Sequence, residues 1–135
     1  MTDQPCPFCE LLVAKRTLAE RPLAAAVADA FPLSPGHVLV VPRRHVADVF
    51  QLTAEELADV VTLVGEMHAR LVDERRPDGF NVGVNVADAG GQTVAHAHVH
   101  VIPRYAGDVA DPRGGVRWII PARARYWASP DATKP

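Results

Sequence analysis

Between Gly90 and Arg104 the chain reads Gly-Gly-Gln-Thr-Val-Ala-His-Ala-His-Val-His-Val-Ile-Pro-Arg, with three of the six histidines at every second position. Alternation of this kind predicts a strand, on which residues two apart point to one face. His96, His98 and His100 then form a row of imidazoles, while Ala97, Val99 and Val101 pack the opposite face. A lone histidine in a strand is usually a satisfied structural residue. Three in register each need partners for two ring nitrogens, which favours chemistry over packing. The preceding Gly90-Gly91-Gln92-Thr93 is rich in donors and carries little bulk, so an anion can approach it closely. The row is read as acting on phosphate, with zinc gripped by alternate histidines as the competing use.

Composition narrows the setting. A chain of 135 residues, 48% hydrophobic and 22% charged, fits one domain over 1–135 with a core of ordinary size. A net charge of -2 and no long basic block argue against a nucleic acid polymer as partner. Apolar runs are short and broken by charge or proline, so no membrane span is expected. Met1-Thr2-Asp3-Gln4-Pro5 lacks a basic region followed by an apolar core, so the expectation is no signal peptide and a cytoplasmic protein. Its two cysteines would stay reduced there.

Those cysteines form Cys6-Pro7-Phe8-Cys9. Spacing alone is compatible with a redox pair, half of a metal site or two incidental thiols. No strand-to-helix pattern precedes it, which weakens the redox reading. A zinc site would need histidines to complete it. Glu10–Arg16 reads as a short helix, and Leu23–Ala30 as a small-residue strand containing Asp29. After the turn Phe31–Gly36, the run His37–Val41 reads as a strand covered on both faces and stopped by Pro42. His37 and His45 bracket it and are natural partners for the later histidines. Thr53-Ala54-Glu55-Glu56 is a capping box opening a long helix over 53–76. Leu57, Val60, Val61, Val64, His68 and Leu71 make its apolar face, with His68 read as a packed structural residue. Phe80–Val86 alternates as a strand with Asn81 and Asn85 on its open face. Ala87–Gly91 then reads as a hairpin that brings Asn85 near Gln92 and Thr93. Past Arg104, glycines and prolines including Pro130 punctuate a tail with a strand candidate at Val116–Ile120, and Arg113 and Arg117 are available to phosphate. Strands, one long helix, then strands give an α+β class with an antiparallel sheet.

His96-Ala97-His98-Val99-His100-Val101-Ile102 resembles the signature of the histidine triad (HIT) family, His-φ-His-φ-His-φ-φ with φ hydrophobic. Gly91-Gln92-Thr93-Val94 and Ser34–Pro42 match the same family, and the cysteine pair with His45 resembles its zinc-containing bacterial branch. The resemblance implies a five-stranded antiparallel sheet with one long and one short helix. It also implies a homodimer with the long helix at the interface, whereas residues 106–135 depart from the family as a C-terminal extension. Among site residues it implies His98 as nucleophile toward the α-phosphorus of a nucleotide, with His100 binding phosphate and His37 supporting. Gln92 would contact the phosphate or bridging oxygen, Thr93 and Asn85 the phosphate and ribose sides, and Asp29 the ribose hydroxyls. Cys6, Cys9, His45 and His96 would hold a structural zinc. The implied substrate is a dinucleoside polyphosphate or nucleoside phosphoramidate, with adenine as base, cleaved by hydrolysis or phosphorolysis. A nucleotide-binding interaction module with little turnover and a zinc hydrolase are the alternatives.

Overall fold

The computed structural model describes residues 5–128; residues 1–4 and 129–135, with the expectations placed on Met1–Gln4 and Pro130, lie outside it. The chain divides after Arg104 into two compact units. In the first unit the elements run α1 (Pro7–Val13), β1 (Ala19–Glu20), β2 (Ala24–Ala28), β3 (Val38–Pro42), α2 (Ala54–Arg75), β4 (Gly79–Gly83) and β5 (Val99–Arg104). The strands form one antiparallel sheet in the order β1-β2-β3-β5-β4. This is the α+β architecture expected. No helix among the described residues is long and apolar enough to cross a membrane.

α2 begins with the capping box read from the sequence: the Glu56 amide donates to Thr53 Oγ1 at 3.1 Å and the Thr53 amide to Glu56 Oε1 at 3.2 Å. It ends at Arg76, whose left-handed backbone (φ 47°) precedes Pro77. Its buried stripe is Val60, Leu63, Met67 and Leu71, which packs on Ala24, Ala26, Val38, Val40 and Val101. The expected face is therefore corrected. Val61 and Leu57 are exposed, and so is His68, whose ring only rests beside Phe80 at 4.7 Å. The apolar arc of α2 is wider than the sheet can cover, and the 60-63-67-71 row is the one that meets it.

The opposite sheet face holds Val27, Leu39 and Val41 under Phe8, Leu11 and Leu12 of α1. α1 starts earlier than expected because Pro7 occupies its first turn and Cys6 caps it, Sγ accepting from the Cys9 amide at 3.4 Å. The histidine strand is shorter than expected, since only His100 lies within β5. Pairing of β3 with β5 stops at Val40↔Val99, and beyond it Pro42 has no amide to offer. The Ala97 amide donates instead to the Val46 carbonyl at 2.7 Å. β4 likewise stops at Gly83, so residues 84–98 form a long connection around a 3-10 turn at Asp88–Gly90 rather than a tight hairpin.

In the second unit, Gly115–Ile119 is a 3-10 turn followed by α3 (Pro121–Ala124), not the strand expected at 116–120. Gly114 at φ 91° and the Arg117 amide bond to its carbonyl turn the chain there. Arg113 bonds Asp111 and stacks on Trp127, while Arg117 bonds the Arg123 and Ala124 carbonyls and stacks on Tyr126. Both guanidiniums offered to phosphate by the sequence are thus engaged within this unit.

Candidate active site and metal centre

Two clusters of histidines form beside the sheet, and the backbone decides what each can do. In the first, Cys6 Sγ lies 3.4 Å from His96 Nδ1, and Cys9 Sγ lies 3.4 Å from His45 Nδ1 and 3.6 Å from His96 Nδ1. The two Nδ1 atoms are 3.3 Å apart. Zinc bonds of about 2.3 Å to sulfur and 2.0 Å to nitrogen, arranged tetrahedrally, require edges of about 3.5 Å and 3.3 Å. The four donors fit. The His96 ring agrees, because its Nε2 lies 2.8 Å from the Pro42 carbonyl oxygen, which can only accept. The proton therefore sits on Nε2, and the Nδ1 lone pair faces the thiols. Burial lowers the proton affinity of this ring, reinforced by His45 and His98. Burial also raises the Cys9 thiol, with Cys6 adding to it, a pairing of thiols that a dication reverses. Arg44 anchors the segment bearing His45 by bonding the Glu56 carboxylate of α2 at 3.0 Å.

The second cluster is Asp29, His37 and His100. Asp29 follows β2, and its amide pairs with the His37 carbonyl just before β3, so both side chains share the face of Val27 and Leu39. Leu39 lies opposite His100 on β5. His37 Nε2 lies 3.0 Å from His100 Nδ1 and 3.3 Å from Asp29 Oδ2. Three such atoms resemble a metal face, but the Leu33 amide donates to His37 Nδ1 at 3.0 Å. The neutral ring then carries its proton on Nε2, where a metal would need a lone pair. This cluster is a hydrogen-bond relay. Burial lowers the proton affinity of His37 against the opposing charge of Asp29. His100 is lowered first by burial, then by His98 and His37.

His98 stands between the clusters, buried, with Nδ1 donating to the His96 carbonyl at 2.8 Å. Its Nε2 keeps the lone pair. In His100 the order is reversed, because Nδ1 accepts from His37 and the proton lies on Nε2. One ring is thus left with a free Nε2 lone pair and its neighbour with an Nε2–H donor. Gln92 is drawn elsewhere: its Oε1 accepts from the Ala87 amide at 3.0 Å, and its Nε2 donates to the Ala47 and Val94 carbonyls at 2.8 and 3.0 Å. Gln92 also walls an open groove of about 470 Å³ with Ala47, Asp48 and Val86. Asn85 and Thr93 are exposed. Sequence reasoning missed Phe8, buried against the rings of His96 and His98, although an aromatic between two cysteines was a visible signal. It also missed the Leu33 amide and Pro42 carbonyl, which no side-chain pattern announces.

The HIT domain profile matches residues 13–107. The AP-4-A phosphorylase of Mycobacterium tuberculosis is 40% identical over 92 residues, covering 67% of this chain and 47% of that protein. The bis(5'-nucleosyl)-tetraphosphatase (asymmetrical) of Schizosaccharomyces pombe is 35% identical over 104 residues, covering 77% and 57%. The chain therefore spans only about half the length of these relatives. A zinc-bound histidine triad family protein from Mycobacterium smegmatis superposes with a TM-score of 0.71 at 28% identity, covering 78% of this chain and 79% of that one.

Proposed function

Since the chain belongs to the HIT domain family, we propose that it cleaves a nucleotide conjugate at the α-phosphate through a nucleotidyl-His98 intermediate. The observation that carries this reading is the hydrogen bond from His98 Nδ1 to the His96 carbonyl, which reserves Nε2 for attack. The Nε2 lone pair forms the bond to phosphorus, and the leaving group departs with the electron pair of its bond and takes a proton from solvent. Water or inorganic phosphate then attacks phosphorus and gives up its proton to solvent, and the P–N electron pair returns to Nε2 while Nδ1 keeps its proton on the His96 carbonyl. His100, held as a donor by His37, stabilises charge on the phosphoryl oxygens without solvent reorganisation. Asp29 receives the ribose hydroxyls, and Asn85 and Thr93 the ribose and phosphate sides. Gln92 reaches the phosphate by exchanging its loop bonds for the ligand.

The substrate class is a dinucleoside polyphosphate or nucleoside phosphoramidate, with adenine as base, in a cytoplasmic homodimer. The named relatives, a phosphorylase and a tetraphosphatase, support the first of these classes. Cys6, Cys9, His45 and His96 would hold a structural zinc, which would cross-link the N-terminal segment to the sheet. The test is to mix the protein with α-labelled diadenosine tetraphosphate or adenosine phosphoramidate, quench, and look for acid-labile label. Label on the wild type and none on His98→Ala, which still binds adenosine monophosphate, is the expected result. Tight nucleotide binding with neither label nor turnover would leave a binding module instead.

A further inference from the structure

One apolar side chain joins the cysteine pair to the nucleophile. Phe8 lies between Cys6 and Cys9 at the start of α1 and is only 7% exposed. Its ring meets His96 at 5.7 Å and 85°, and His98 at 5.1 Å and 63°. Behind it stand Val27, Leu39 and Val41. A phenyl ring neither binds metal nor moves a proton here; it limits where the two imidazoles sit, in the edge-on arrangement aromatic rings prefer. The His98 ring also bonds the His96 carbonyl and meets the His100 ring at 5.1 Å. Phe8 in turn depends on α1, a helix of 7 residues. A helix so short does not hold itself in water. What fixes it are its apolar side chains and the donors it sends to the metal cluster.

We infer that Phe8 is a positioning residue that transmits closure of the Cys6, Cys9, His45 and His96 cluster to His98, keeping that ring on the His96 carbonyl. The inference rests on the reading of His98 as nucleophile and of the cluster as a zinc site. Its readout does not need turnover. In the full chain labelled with ¹⁵N-histidine, the ring nitrogens of His98, assigned by their loss in His98→Ala, report tautomer and mobility. Zinc-loaded wild type shows a single Nδ1–H tautomer, and chelation converts it to an exchanging mixture. Phe8→Leu keeps apolar bulk and bound zinc, yet shows the mixture with zinc present. With substrate its kcat falls about tenfold while KM holds, as misplacement of a reacting group predicts. A single Nδ1–H signal that survives chelation of the wild type overturns the inference. So does a zinc-loaded Phe8→Leu protein with the wild-type signal. Absence of turnover in every variant, with the tautomer results as expected, would instead count against the catalytic reading alone.

Discussion

His37 and His100 are buried enough that the neutral ring is favoured in the folded chain, and both therefore take up a proton less readily than a free imidazole at 6.5. In the unfolded chain they titrate near the ordinary value, about 6.5. Between the two values the unfolded state binds more protons, so acidification favours unfolding. Stability from these rings is whole above about pH 6.5 and declines as pH falls through the folded-state values. Thermal unfolding should show a midpoint flat from neutral pH upward and falling below that point, with a shallower fall in His37→Gln. Asp29→Asn removes the charge that opposes the shift of His37 and should steepen it. Equal slopes in all three proteins would refute this account. That Cys6, Cys9, His45 and His96 come together, as do His37 and His100, was legible at this scale, because imidazoles and thiols are few and their spacing is specific. Protonation geometry was not. His96, His98 and His37 are set by the Pro42 carbonyl, the His96 carbonyl and the Leu33 amide, backbone groups that only the fold brings near.

α1 shows how an element can be too short to exist alone and still organise a site. Its 7 residues bring Cys6 and Cys9 to His45 and His96 and seat Phe8 on the sheet. Metal bound only by the folded chain stabilises by mass action, about 4 kcal/mol at a thousandfold excess over Kd. For a domain of this size that corresponds to a rise in Tm on the order of 10 °C. Chelation should remove it and open α1 to hydrogen exchange, while β2, β3 and α2 stay protected; Cys9→Ser should behave like the chelated wild type. An unchanged Tm and unchanged exchange in α1 would rule out a structural metal. Legibility at this scale followed local chemistry. Thr53 and Glu56 announced the start of α2, and Pro42 the end of β3, because caps and breakers act on neighbouring backbone. The buried stripe of α2 and the start of β5 depended on the sheet they meet. Periodicity alone therefore places His68 in the core and His96 and His98 in a strand, whereas the fold leaves His68 exposed and starts the strand at Val99.

At the scale of the whole molecule, two apolar features of the first unit are exposed among the described residues. Along α2, Leu57, Val61 and Val72 are 45%, 62% and 43% exposed, a stripe beside the one that packs on the sheet. A side chain added at Gly65 on the same helix would meet open space. β4 is an edge strand, and Val82 on it and Val84 just beyond are 49% and 38% exposed. An apolar edge strand invites pairing unless something covers it. A second copy related by twofold symmetry is the partner we propose, because such an axis sets each feature against itself and pairs the two edges into one continuous sheet. Symmetry also makes the test sensitive, since one substitution enters the interface twice. Val61→Glu forgoes burial of two valines, each contributing about 1.5 kcal/mol or more, and brings two like charges together. At micromolar concentration sedimentation should show a dimer for wild type and a monomer for Val61→Glu, with Kd raised at least about a hundredfold. Because Val61 lies on α2 and α1, with Cys6 and Cys9, packs on the opposite face of the sheet, any metal content of the monomeric variant should match that of the wild type. A wild type that sediments as a monomer, or a Val61→Glu protein that dimerises unchanged, would mean that this stripe faces water and that the edge strand is protected in some other way.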